Sequence, residues 1–141
     1  MNISARNIFR GTVSSITKGA VNAEVAIDLG NGTSIVSTVT IGSVERLGLQ
    51  TGMTASAIVK ANSVILGTGL LDAKLSARNI LPGKISRVIE GPVSTEVDLE
   101  IGGGNTLSAV ITHGSSTRMG LAVGGTACAI FKASSVIIGT E

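Results

Sequence analysis

Residues 21–32 read VNAEVAIDLGNG, and residues 93–104 repeat the pattern as VSTEVDLEIGGG. In both stretches apolar side chains alternate with polar or small ones, which is typical of a half-buried strand. The glycines that follow supply the positive φ angles that a tight hairpin turn needs. The two stretches therefore predict a strand and a hairpin turn at the same point in two copies of one unit.

The chain is an internal duplication. Residues 4–68 align with residues 76–140 at a constant offset of 72 without a gap, and 31 of the 65 positions are identical. We therefore predict a first domain at 1–68, a linker at 69–75 and a second domain at 76–141. Because a chain of about 65 residues buries a small fraction of its surface, we expect the copies to pack on each other, on other chains, or both.

Further short strands accompany the alternating strand in each copy. In the first copy we predict them at 11–16, 34–40, 54–60 and 63–66. The segment 42–49 suits a single helical turn, with Ser43 as its N-cap and Gly48 as its terminator. Five short strands and a helical turn predict an all-β fold of two tandem, OB-like small barrels.

Composition excludes several classes of partner. The chain has two phenylalanines, no Trp and no Tyr, so it lacks the stacking platforms of single-strand nucleic-acid binders. A net charge of +2 without a basic cluster also argues against nucleic acid. Neither a transmembrane run nor a leader is evident, so we predict a cytoplasmic protein with no membrane contact. Cys128 reads as a small buried thiol, and no Cys/His spacing suggests zinc.

The residues offer little for catalysis. His113 is the one histidine, and the first copy has Ile41 in its place. Glu24 and Glu96 are the identical acidic pair, and a solvated strand face explains them better than paired catalytic carboxylates in a cleft. The glycines at 102–104 precede no helix and no Lys-Ser/Thr, which disfavours a phosphate loop. We predict that the protein is not an enzyme.

Repeated donor groups favour the binding of a small oxyanion. Ser4 and Arg6 share one face of an extended segment, and Lys60 is followed by small and hydroxyl residues. Thr40 and Ser43 flank the start of the helical turn, where free backbone N–H groups suit an anion. Groups of this kind can all donate hydrogen bonds and carry no negative charge, as a deprotonated tetrahedral dianion requires. In the alternative reading the hydroxyls cap turns, Arg6 lies in a surface ion pair and Lys60 is solvated.

The chain also resembles a known family. The Ser-Ala-Arg-Asn openings at 4–7 and 76–79 look like the signature of molybdate-binding Mop domains of the TOBE-like class, the molbindins. The Gly-x-Val-x-x-Glu-Val stretches at 19–25 and 91–97 are similar, as are the Lys-Ala-x-x-Val-Ile endings. The form with two such domains resembles cytoplasmic two-repeat molbindins, which implies molybdate or tungstate binding, molybdenum storage and homeostasis, and a homotrimer.

The resemblance also implies where the anion binds. The sites would lie at interfaces between domains, and the metal would enter only as the oxyanion. The implied residues are Ser4, Arg6, Lys60 and Ala61 with Thr40 and Ser43, and in the second copy Ser76, Arg78, Lys132 and Ala133 with Thr112 and Ser115. A second class of site on a threefold axis would involve the turns with Gly19, Val21, Gly91 and Val93. His113 either makes the sites of the two copies unequal or is a partly exposed side chain without a role.

Two other functions remain open at this point. One is an OB-fold nucleic-acid module, which salt-dependent retention on single-stranded DNA would indicate. The other is a regulatory interaction module whose anion occupancy is a signal to a partner protein. A buffer of molybdate needs no such partner.

Overall fold

A computed structural model describes residues 1–70 and 72–141. Its elements follow the same order in both copies. They are β1 (Asn7–Lys18), β2 (Asn22–Gly30), β3 (Thr33–Thr40), α1 (Ile41–Leu47), β4 (Thr54–Val59), β5 (Ile65–Gly67), β6 (Asn79–Glu90), β7 (Ser94–Gly102), β8 (Asn105–Thr112), α2 (His113–Met119), β9 (Thr126–Phe131) and β10 (Ile137–Gly139). A short 3-10 turn precedes β5 at Ala61–Ser63 and β10 at Ala133–Ser135. The prediction of an all-β fold of two tandem OB-like units is confirmed, and the strands form two curled five-stranded sheets.

The hairpins and helix ends follow from local sequence. Gly30, Asn31 and Gly32 all have positive φ angles, which lets β2 turn directly into β3. Helix α1 ends at Gly48 in the left-handed conformation, as predicted. The predicted N-cap was wrong, because Thr40 caps the helix and its hydroxyl accepts the N–H of Ser43 at 3.1 Å. The capping hydroxyl reaches the third helical residue, so Ser43 lies inside the helix instead of before it.

The last strand of each copy pairs with the other copy. One sheet has the order β10-β4-β1-β2-β3, and the other has the order β5-β9-β6-β7-β8. Ile137 of β10 lies opposite Ile58 of β4, and Ile65 of β5 lies opposite Ile130 of β9. Each sheet is therefore completed by a strand from the other half of the chain. The boundaries at 68 and 76 describe the sequence repeats, and they stay a prediction for the domains.

Two asparagines tie the copies together. Asn79 donates from Nδ2 to the carbonyl of Val36 and accepts the N–H of Val36 at Oδ1, both at 2.8 Å. Asn7 makes the same pair of bonds with Ser108, at 2.8 and 2.7 Å. Both asparagine side chains are almost fully buried. Each therefore acts as a clamp that joins the first residues of one copy to the edge strand of the other.

The core is aliphatic apart from the two phenylalanines. Phe9 and Phe131 are 3% and 1% exposed, and the buried cluster draws on both copies. Cys128 is half-buried, so the prediction of a buried thiol was wrong. In the linker, the Leu70 side chain packs beside Gly67, while Leu71 lies outside the described residues. The two helices of the described chain, seven residues each, are too short to span a membrane.

Candidate functional site

Two open pockets lie where the copies meet. The first, which we call the Thr38 pocket, has a volume of about 290 Å³. Most of its wall comes from the second copy, and Thr38 on β3 of the first copy completes it. It is lined by Thr38, Ser76, Ala77, Arg78, Lys132, Ala133 and Ser134. The structure thus brings together the predicted Ser-x-Arg and Lys-Ala groups of the second copy.

The second pocket, which we call the Val110 pocket, is related to the first by the internal repeat. It has a volume of about 370 Å³ and is lined by Ser4, Ala5, Arg6, Lys60, Ala61, Asn62 and Val110. Every lining residue occupies the position that matches one in the Thr38 pocket at the offset of 72. The two pockets differ in side chain at two positions, where Val110 replaces Thr38 and Asn62 replaces Ser134.

Strand pairing explains why these residues meet. Asn7 at the start of β1 lies opposite Val59 at the end of β4. Arg6 and Lys60 are the next residues beyond that pair, so they leave the sheet side by side. The same holds in the second copy, where Asn79 lies opposite Phe131. Two segments that are far apart in sequence therefore form one cationic wall.

Each pocket arginine is paired with a glutamate of the other copy. Arg6 forms an ion pair with Glu96, and Arg78 forms one with Glu24. The arginine side chains remain about half exposed, whereas that of Glu96 is 18% exposed. The ion pair of the alternative reading is therefore present. The two glutamates do not simply face solvent. Each binds the guanidinium group of an arginine from the other copy.

The lysines are the cations left for a ligand in both pockets. Lys60 and Lys132 are exposed, and no ion pair involves either of them in the described part of the chain. Each immediately precedes a 3-10 turn, at Ala61 and at Ala133. The first backbone N–H groups of such a turn have no partner within the turn. A lysine and the first residue of a 3-10 turn therefore line each pocket together.

The helix-start residues do not line either pocket. Thr40 and Ser43 bond to each other, with 2.9 Å between their hydroxyl oxygens, and Thr112 and Ser115 do the same at 2.8 Å. Thr40 lies two residues beyond Thr38, on the same face of β3. Within a single chain, these four hydroxyls therefore lie close to the edge strands β3 and β8 but outside the walls of the two pockets.

The turns predicted for a second class of site lie beside the helix starts. The carbonyl of Val21 accepts the N–H of Ile41 at 2.9 Å, and that of Val93 accepts the N–H of His113 at 3.0 Å. Val21 and Val93 are 71% and 79% exposed. Each turn begins with a bond from the glycine N–H, of Gly19 or Gly91, to a carbonyl three residues on. His113 is partly buried, and its Nδ1 has no partner in the described structure.

The described residues contain no group of three His, Cys, Asp or Glu side chains placed to hold a bare metal ion. The donors that converge are cations, hydroxyls and amides, which suit an oxyanion. Sequence reasoning missed Thr38 and Val110, because each reaches the pocket from the opposite copy. Thr38 could have been found from the strand pattern, because it lies two residues before the predicted ligand Thr40 and therefore on the same face of that edge strand.

Comparison with known proteins places the chain in a family. The model of the TOBE domain matches residues 3–66 and 75–138. Molybdenum-pterin-binding protein MopA of Rhodobacter capsulatus is 43% identical over 138 residues, which are 98% of this chain and 52% of MopA. A probable molybdenum-pterin-binding protein of Haemophilus influenzae is 51% identical over 67 residues, 48% of this chain and 97% of that protein.

A solved structure of the cytoplasmic molybdate-binding protein ModG, with molybdate bound, matches with a TM-score of 0.96 and 44% identity over the whole of both chains. The chain spans about half the length of several curated relatives that it matches, MopA among them. The resemblance seen in the sequence is confirmed, since the family model covers both repeats and the fold matches end to end. The chain belongs to the TOBE domain family.

Proposed function

We propose that this chain binds molybdate in the Thr38 and Val110 pockets, without catalysing a reaction, and serves molybdenum storage and homeostasis in the cytoplasm. The observation that carries the proposal is the convergence of Ser, Arg and Lys-Ala groups in two repeat-related pockets. The end-to-end likeness to molybdate-bound ModG supports the choice of anion. Tungstate, which has the same shape and charge, is the expected analogue.

The chemistry of the pockets suits a dianion that only accepts hydrogen bonds. In the Thr38 pocket, Lys132 supplies an ammonium group, Ser76 a hydroxyl and Ala133 a backbone N–H. The Arg78 guanidinium has five N–H donors, and its pairing with Glu24 leaves some of them for the anion. Glu24 fixes the guanidinium and offsets its charge, so the lysine supplies the net positive charge.

We further propose that the chain forms a homotrimer. Three isoleucines lie side by side across each sheet: Ile8, Ile58 and Ile137 on one, and Ile80, Ile130 and Ile65 on the other. Only the middle residue of each row is buried, Ile58 at 7% and Ile130 at 8% exposed, whereas Ile137 and Ile65 are 61% and 63% exposed and Ile8 and Ile80 are 40% and 38% exposed. Exposed apolar strips of this kind favour contact with another protein surface. We propose that this surface belongs to a second molecule of the same chain.

Assembly would also supply the remaining predicted ligands. The hydroxyls of Thr40, Ser43, Thr112 and Ser115 lie outside the pockets of one chain. We propose that a neighbouring chain brings a helix start to each pocket. The exposed turns at Val21 and Val93 are the proposed lining of a second site on the threefold axis, with His113 beside the second turn.

Equilibrium dialysis with labelled molybdate tests the binding proposal. Micromolar binding that tungstate displaces, and that sulfate displaces less well because it is smaller, is the expected result. Phosphate carries a proton near neutral pH and should compete poorly in a site built from donors. Lys60→Met and Lys132→Met should each remove part of the binding, whereas Lys18→Met, which alters an exposed lysine away from both pockets, is the matched control. Absence of molybdate binding at micromolar concentration contradicts the proposal.

Light scattering after size exclusion tests the trimer. A mass three times that of the chain is expected, and Ile137→Lys should shift it toward the monomer. A monomer at all concentrations, with and without molybdate, contradicts the assembly. Retention on single-stranded DNA is the test for the nucleic-acid alternative; we expect none, since both phenylalanines are buried and offer no stacking face.

A further inference from the structure

The two pockets share their plan but not their donors. Where the Thr38 pocket has a threonine hydroxyl, the Val110 pocket has a methyl group of nearly the same shape. The other difference, Ser134 against Asn62, exchanges one hydrogen-bond donor for another. The hydroxyl of Thr38 is thus the donor that one pocket has and the other lacks.

The surroundings of the two positions are otherwise matched. Thr38 lies opposite Glu24 across β2 and β3, and Val110 lies opposite Glu96 across β7 and β8. The residue two positions earlier, Val36 or Ser108, is held by an asparagine clamp in both cases. Both side chains are half-buried and β-branched, which restricts each to few rotamers. The backbone therefore presents a side chain with a hydroxyl and an apolar side chain of nearly the same shape from equivalent places.

We propose that the two pockets bind the oxyanion with unequal affinity, that the Thr38 pocket is the tighter one, and that Thr38 determines the difference. This inference rests on the proposed function. An oxyanion oxygen that faces Thr38 gains a charge-assisted hydrogen bond, whereas one that faces Val110 loses its water and gains none. A hydrogen bond to a charged group changes affinity by roughly ten- to a hundredfold. The chain would then hold one anion firmly and exchange the other at higher concentration.

Calorimetric titration of the full chain with molybdate tests the inference. Apart from any binding at the proposed threefold-axis site, the two pockets of the wild type should appear as two classes of site that differ in affinity by roughly tenfold or more. Thr38→Val should convert the tight class to the weak one, and Val110→Thr should do the reverse. The double variant should restore two classes with their locations exchanged. Because threonine and valine have nearly the same shape, the melting temperature without anion should remain within a few degrees of the wild type and verifies folding.

Lysine variants assign each class to its pocket. Lys132→Met should abolish the tight class and Lys60→Met, its repeat-related control, should abolish the weak class. Equal affinities in the wild type, or a tight class that survives Thr38→Val, would overturn the inference and leave the proposed function intact. A wild-type chain that binds no molybdate would overturn the proposed function itself.

Discussion

Asn79 offers the sharpest test of how the copies are joined. Replacing it by alanine removes two hydrogen bonds of 2.8 Å to the backbone of Val36 from a side chain that is 1% exposed. The N–H and carbonyl of Val36 then lose their partners at a junction largely closed to water. Each of these two groups left without a partner costs about 1–3 kcal/mol. We therefore expect Asn79→Ala to lower the free energy of unfolding by about 2–6 kcal/mol.

Urea denaturation at fixed protein concentration measures the effect as a lower midpoint with little change in slope. Asn7→Ala should cost a similar amount, because Asn7 makes the same two bonds to Ser108. Asn22→Ala, an exposed asparagine at the start of β2, is the matched control and should have a small effect. If both clamp variants lie within about 0.5 kcal/mol of this control, the asparagines do not hold the copies together and the reasoning fails.

Three further perturbations test the packing and the charges. A Cβ at Gly11 would lie 2.3 Å from the carbonyl oxygen of Asp28. Gly11→Ala should therefore destabilise the folded protein by about 1–3 kcal/mol in thermal melts. Gly114→Ala is the control and should have little effect, because a Cβ there meets open space. Glu96→Gln removes a carboxylate beside the Val110 pocket and should strengthen molybdate binding there up to about fivefold at low salt; weaker binding by titration would contradict this. Thr95 is buried with no partner for its hydroxyl in the described structure, and the first copy has alanine at this position. Thr95→Ala should therefore raise the free energy of unfolding by about 1 kcal/mol, measured as a higher urea midpoint.

The strands were predictable because period-two alternation depends only on local sequence. Residues 21–29 alternate strictly, and the observed β2 has buried Ala23, Val25 and Ile27 on one face. The end of the helix was also predictable, since Gly48 takes the left-handed conformation that other residues avoid. The helix start was placed wrongly because threonine and serine three residues apart are both good caps, and only the path of β3 selects Thr40.

The exchange of the last strands could not be predicted from the same sequence. Ile65 and Ile137 are identical residues in nearly identical contexts, and their partners, Ile130 and Ile58, are identical too. The last strand would therefore make nearly the same cross-strand contacts whether it paired within its own copy or with the other copy. The choice depends on the path of the chain around the junction, which no residue of the strand itself encodes.

The candidate site was half predictable for a related reason. Arg6 and Lys60 belong to one copy and meet because they follow paired positions of neighbouring strands, which pattern analysis brings together. Thr38 enters from the other copy, and what places it there is the clamp of Asn79 on Val36. The asparagine that fixes this wall directly follows Arg78, a residue of the opposite wall.

The Ser-Ala-Arg-Asn motif therefore serves the pocket and the fold at once. Ser76 and Arg78 line the pocket, while Asn79 holds the strand that carries Thr38. Any motion that separates the copies moves one wall of the pocket from the other, so the anion and the clamp oppose the same opening. A ligand that binds only the closed junction adds stability by mass action, about 2.7 kcal/mol per site at a hundredfold excess over its dissociation constant. Identity of all four residues in both copies is what this double role requires, because the loss of the asparagine would displace Thr38 or Val110 even where every donor remained.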